Sequence, residues 1–467
     1  MLKKRFLPWM LMLSGLPLLS ACDREPRPVE VIASHGPGEL ALLIEREGGA
    51  GPYVGGTPER FRIVASGEAF KSVRWSTTAG VIESDAEHVT WTLPSAGTAS
   101  LSVSVETESG KTAEGAFHFS VVASPLATST VIDPGPDVTG SICELAFDDA
   151  GKGHVVYTND THNTLWYASW NGTTWTTEQI DGPGFNTGGM FISKPALALD
   201  AATGTPHVAY LKSTGPVSVA TFRVGYAARV NGAWTREAVD VAPTTRLGIA
   251  LNPAQGQQPS IVAASSTSGT LRVITRAATN TWVATPLTTL TASYLTGDPV
   301  FDATGGLYVM TNQVATSTPA NYLRVIRGSV VDSFKVRDTG TGFSSSWSSL
   351  VWGQGQHLLV QANSITEGDR AAMDDITVGT PVSASTVSSS PVDYRYQTSD
   401  LAYGGGKPVS VLRNGTAMEL TTPDAQGFWT YTQLGTVDEA TRPSVAIRPT
   451  DGTPHVCYQQ DGKVSFQ

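Results

Sequence analysis

A chain of 467 residues exceeds the usual size of one compact core, so two or more domains are expected. Charged residues make up 15%, below the ~25% typical of globular proteins, and 41 Asp+Glu outnumber 31 Lys+Arg. An acidic body without a basic cluster argues against nucleic acid as a partner and against electrostatic docking on anionic lipid.

Residues 1–22 read as a processing segment: Lys3, Lys4 and Arg5 form a basic start, Phe6 to Leu19 an apolar run, and small residues lead to Cys22. The run is shorter than the ~20 residues of a spanning helix and contains Pro8, Gly15 and Pro17. Leu19-Ser20-Ala21-Cys22 resembles the bacterial lipobox, which implies acylation of the Cys22 thiol and a mature chain that begins there. Each buried acyl methylene contributes ~0.8 kcal/mol, so several chains on one residue hold a soluble body at a bilayer. The alternative is an ordinary signal peptide with a coincidental cysteine. Asp23 resembles the inner-membrane retention signal of enterobacterial lipoproteins, but other bacterial groups read that position differently. The expected location is the bacterial cell envelope, on the inner or outer membrane, with the body in the periplasm or at the cell surface.

A tether, 23–30, precedes a segment at 31–123 in which apolar and polar residues alternate, as in RFRIVAS, HVTWTLPSAG and TASLSVSVET. Six or seven short strands in this length predict a β-sandwich with Trp75 as core anchor, and the pattern resembles immunoglobulin-like or PKD-like modules. The paired cysteines of antibody domains are missing from it.

The remainder, 127–467, repeats itself. LAFDDAGKGHVVY (145–157), LALDAATGTPHVAY (197–210) and VAIRPTDGTPHVCY (445–458) each read as strand, Gly-rich turn and strand, and weaker copies start near 251, 300, 350 and 401. A third strand, a turn with an aromatic (NGTTW, NGAW, TNTW, QGFW) and a fourth strand follow most copies. Four strands per roughly 50 residues is a propeller blade, and seven copies predict an all-β, seven-bladed β-propeller. The last copy stops after three strands at KVSFQ, whereas STVID at 129–133 matches the fourth strands TEQID and REAVD. The N-terminal segment is therefore expected to complete the last blade and remove an open edge.

These repeats resemble the sialidase-like propeller group, with its bacterial neuraminidase-type repeats, over about 340 residues. A sialidase needs three arginines on the substrate carboxylate, a tyrosine nucleophile with a glutamate partner, and an acidic proton donor. Phe61-Arg62-Ile63-Val64 matches the arginine motif that opens such domains but falls in the sandwich, and the turns lack the Ser and Asp of the family's Asp-box.

His154, His207, His357 and His455 recur at equivalent repeat positions, which reads as a repeated packing role more readily than as metal ligation. Ser109-Gly110-Lys111-Thr112 lacks the earlier glycine of a phosphate loop and reads as a hairpin turn. With Cys22 acylated, Cys143 and Cys457 remain near the two ends of the ring; they form either a closing disulfide or two separate apolar core residues.

Without a catalytic constellation, a cofactor motif or a metal motif, binding is the expected activity. Connections from fourth to first strands and from second to third strands share one propeller face and carry Phe185, Tyr294, Trp347, Tyr394 and Tyr396, with Asn159, Arg246 and Arg370 as polar candidates. Aromatic faces with a few polar groups suit a glycan or protein ligand, bound by a monomer. The competing expectation is a sialidase-like glycan-cleaving hydrolase or lyase.

Overall fold

The computed structural model describes residues 28–31, 42–47, 58–65, 69–94, 97–121 and, from Ser129, the rest of the chain. Undescribed in that latter part are 185–193, 214–221, 241, 243, 266–269, 288–292, 296, 314–319, 339–347, 356, 365–369, 380–382, 396–397, 415, 424–428 and 440. The lipid-site residue Cys22 lies outside the described residues. No helix among the described residues is long and apolar enough to cross a membrane. The chain is all-β and divides into two compact units, one ending near Phe117 and one containing His118–Gln467.

The N-terminal unit holds two antiparallel sheets, one of five strands and one of three. Alternation decides which side chains are buried: Leu101, Val103 and Val105 on Gly97–Thr107 point inward while the residues between them remain half-exposed. The core tryptophan is Trp91 rather than the expected Trp75. Trp91 is fully buried against Phe61, and its Nε1 donates to Ala79 O at 2.9 Å. Trp75 falls on a strand whose inward positions are only half-buried, and its Nε1 donates to Ala86 O. A glycine is required at Gly80, where φ is +82° and a Cβ would lie 2.6 Å from the Trp91 nitrogen.

The C-terminal unit is a propeller-like succession of small antiparallel sheets, the first six each made of consecutive strands. The first sheet runs Thr139–Phe147, Gly153–Asn159, Thr164–Trp170 and Trp175–Asp181. The second runs Ala196–Asp200, Thr205–Ser213, Phe222–Val230 and Ala233–Asp240. The third runs Thr244–Asn252, Gln258–Ser265, Leu271–Ala278 and Thr281–Leu287. In the fourth, Ser293–Leu295 and Val300–Phe301 both pair with Leu307–Gln313. Sheets starting at Ser348 and Thr398 follow. The seventh, Ser444–Ile447, Pro454–Gln460 and Lys463–Phe466, takes Thr130–Val131 as its fourth strand, with Ser465 opposite Val131.

First strands of successive sheets lie side by side, and that of the seventh sheet returns to that of the first. The Cys143–Cys457 disulfide, with Cα atoms 6.3 Å apart, and a parallel bridge between Ile142 and Arg442 join the same two sheets. Turn aromatics fill the space between sheets: Trp234 lies edge-on to Tyr167 of the preceding sheet, and Trp282 to Tyr226. The turns before them are left-handed at Asn231 and Asn280, which asparagine tolerates. Ser109 to Lys111 form the turn between Gly97–Thr107 and Thr112–Val121, as a hairpin requires.

Candidate functional site

The first strands place two layers of charge at the middle of the ring. Aligned on the residue that opens the first turn (Asp148, Asp200, Asn252, Asp302, Gly404, Arg448), Glu144, Asp298 and Asp400 occupy one position in the first, fourth and sixth sheets. Two residues earlier, about 7 Å along a strand, stand Lys194, Arg246 and Arg442 of the second, third and seventh sheets.

Ion-pair distances show that the layers meet in the centre. Lys194 Nζ lies 3.1 Å from Glu144 Oε2 and 3.5 Å from Asp298 Oδ2, although these residues belong to three different sheets. Gly248 makes room for this contact, since a Cβ there would lie 2.4 Å from Pro299 and 3.0 Å from Asp298 Oδ1. Asp400 accepts from Ser349 Oγ at 3.0 Å and from Val445 N at 3.1 Å, tying the fifth, sixth and seventh sheets together.

Burial disfavours charge here, and it raises the carboxyls of Glu144 and Asp298. Burial raises the Glu144 carboxyl well above its ordinary range; Lys194 opposes this, while Asp298 and Asp400 add to it. Asp298 is raised for the same leading reason. Burial pulls Lys194 down, but the charges of Glu144, Asp400 and Asp298 outweigh it and hold the ammonium above its usual value. Among the described residues no three such side chains assemble as a metal ligand set.

Above this layer, toward the face where the first strands begin, the charge is positive. Burial first, then the charges of Arg246 and Arg413, push the Arg442 guanidinium down to about 10. Arg413 reaches this level because it pairs with Thr398 at the start of the sixth sheet. It is itself lowered by burial, with Glu439 opposing. The third and seventh sheets are not neighbours, so the charge of Arg246 reaches Arg442 across the ring. Arg246 also donates to Leu295 O at 3.1 Å.

Of the residues expected on this face, Arg246 joins the central collar. Asn159 is buried at 2% exposure and commits both ends of its amide within the protein, donating to Asp137 Oδ2 at 2.9 Å and accepting from His162 N at 3.0 Å. Tyr294, Arg370 and Tyr394 occupy strand positions opposite Asn312, Ser364 and, one residue along, Arg370 of the neighbouring strand pair; their side chains lie outside what is described. Phe185, Trp347 and Tyr396 lie outside the described residues. Arg413, Arg442, Lys194, Glu144 and Asp298 were missed. The available signal was a charged residue just ahead of or inside the apolar first strand, as in SKPALAL, GDPVFD and TRPSVAI.

The histidines divide by role. His154 and His207 make the same contact, Nδ1 to the tyrosine hydroxyl of the third strand at 2.6 Å, and burial lowers both. His455 stacks on Phe466, and His357 pairs through Nδ1 with Asp375 at 2.7 Å.

No family model matches the chain, and no curated protein matches it. Solved structures similar to it include a protein of unknown function from Dyadobacter fermentans, at 10% identity and a TM-score of 0.45, covering 72% of this chain and 96% of that one. The Aleuria aurantia lectin in complex with α-methyl-L-fucoside is 14% identical with a TM-score of 0.40, covering 70% and 99%. A protein from Lactobacillus plantarum is 14% identical with a TM-score of 0.44, covering 73% and 93%.

Proposed function

We propose that this chain is a lipid-anchored, extracytoplasmic binding protein without catalytic activity. In this reading the seven sheets are the blades of a β-propeller, residues 31–123 are an immunoglobulin-like sandwich, and Cys22 carries the lipid. A monomer takes a glycan or protein ligand at the mouth of the propeller channel. The observation that carries it is the collar of Arg246, Arg413 and Arg442 from three sheets, in which burial first and then the charges of Arg246 and Arg413 depress Arg442. Guanidinia suit carboxylate or sulfate oxygens through paired hydrogen bonds, so a collar of three favours an acidic group on the ligand.

A sialidase-like hydrolase is the second reading. It is favoured by the same three arginines together with the carboxyls of Glu144 and Asp298 one step deeper, both raised first by burial. A glycan array beside an activity screen on acidic polysaccharides separates the two. Binding without turnover, weakened about tenfold or more in Arg442→Ala, is expected. Turnover that disappears in Glu144→Gln would reverse the choice. In the same preparations, Cys22→Ser should move the protein from the membrane to the soluble fraction; a parent chain without acyl groups at its mature N-terminus would remove the lipid anchor from the account.

A further inference from the structure

The second and third sheets enclose a crevice of about 510 Å³ on the face opposite the arginine collar, where the turns between first and second strands emerge. It is lined by Asp200 and His207 of the second sheet and by Gln258, Arg276, Ala277 and Ala278 of the third. We propose that this crevice is a second binding site, independent of the channel mouth, for one uncharged sugar residue.

The repeat itself shows what is unusual here. In the first sheet Asp148, the counterpart of Asp200, turns back on His154, with Oδ2 3.4 Å from Nε2 and Oδ1 accepting from Lys152 N at 2.8 Å. His154 is closed off at 1% exposure. In the second sheet the turn is one residue longer, and Asp200 acts on His207 through its charge without the hydrogen bond of the first copy. The histidine and the carboxylate that satisfy each other in the first copy therefore both face the crevice in the second.

The polar groups are held in place from behind. Arg276 is clamped by Glu237, with Nη2 to Oε1 at 2.6 Å and Nε to Oε1 at 3.2 Å. Glu237 also accepts from Trp282 Nε1 at 2.7 Å and from Asn280 N at 3.0 Å. Gln258 Nε2 donates to Arg276 O. Burial raises the Tyr226 phenol, which stays a donor, and pushes His207 down to about 4. His207 Nδ1 and the Tyr226 hydroxyl share a hydrogen bond of 2.6 Å; with the phenol as its donor, the neutral imidazole carries its proton on Nε2.

Charge selects the ligand class. Glu237 neutralises Arg276, His207 is neutral, and Asp200 leaves the crevice with a net negative charge, which disfavours anions. An imidazole N–H and a guanidinium edge as donors, a carboxylate as acceptor and the methyl faces of Ala277 and Ala278 match a ring bearing adjacent hydroxyls. The volume falls within the range of small-ligand clefts.

Titration of a panel of neutral methyl glycosides, hexose and 6-deoxyhexose, by saturation-transfer NMR tests the site. The full chain should bind at least one of them saturably. Asp200→Ala, which removes the acceptor, and Ala278→Trp, which fills the crevice, should each weaken that binding about tenfold or more with the melting transition unchanged. Arg442→Ala should leave it intact, whatever becomes of the channel mouth. No saturable binding across the panel, or binding that survives both crevice substitutions, would overturn the site.

Discussion

Lys194 is the residue on which the middle of the ring depends. It is the cation between Glu144 and Asp298, with Asp400 also within electrostatic reach. Removing one partner of a buried ionic cluster costs about 3 to 5 kcal/mol because the other charges remain buried and uncompensated. Lys194→Met should therefore destabilise the chain by about 3 kcal/mol at pH 7.5. In that variant the carboxyls of Glu144 and Asp298 have folded pKa values raised further above their unfolded values. The folded state then binds more protons than the unfolded one, so stability rises as pH falls toward 5. Denaturant titrations across that range check this; a variant as stable as the parent at pH 7.5, or a deficit that ignores pH, would contradict the ion-pair geometry. Legibility at this scale was uneven. Arg246 reads as a polar group of a loop on the binding face and lies instead inside the strand Thr244–Asn252, whereas Arg413 and Arg442 sit beside Asn414 and Pro443 in what read as ordinary turn sequence. Asn159 looked like a loop ligand because sequence does not reveal that Asp137 lies 2.9 Å from its amide.

Among elements, the joint between the seventh and first sheets is the most instructive. Three devices meet there: the added strand Thr130–Val131, the Ile142–Arg442 bridge and the Cys143–Cys457 disulfide. The cysteines are 314 residues apart in sequence, so the cross-link restricts a very long unfolded loop. Cys143→Ala with Cys457→Ala should lower stability by about 2 to 4 kcal/mol, read as a melting temperature that reductant no longer alters. An equal melting temperature for parent and variant under oxidising conditions would show that the bond adds nothing to closure. Strand boundaries were readable because Gly-rich and Asn-Gly turns punctuate each copy, and STVID shares a pattern with TEQID. In the N-terminal unit periodicity located the strands but misassigned the buried tryptophan. Trp75 and Trp91 both occupy alternating positions, and only the sheet pairing places Trp91 against Phe61 and beneath Gly80.

At the scale of the whole molecule, ring closure assembles the charged centre. Lys194, Arg246, Arg413, Arg442 and the three carboxylates come from six of the seven sheets, and each depends on the others staying in register. Repeat length made the succession of sheets legible. The charged centre was not, because its members are scattered over some 300 residues and become neighbours only when the sheets are arranged in a circle. The most direct test compares the melting of two shortened chains, one beginning at Ser124 and one beginning at Pro134. The first drops the N-terminal unit and keeps Thr130–Val131; the second also loses that strand and the buried Ile132. Losing the strand removes ladder hydrogen bonds worth about 1 kcal/mol each and uncovers the last sheet's edge, against a total stability of about 5 to 15 kcal/mol. The chain from Ser124 should melt cooperatively near the parent's transition, and the chain from Pro134 should melt clearly lower or aggregate. Equal melting of the two would mean that residues 129–133 are a linker and that the ring does not close through them.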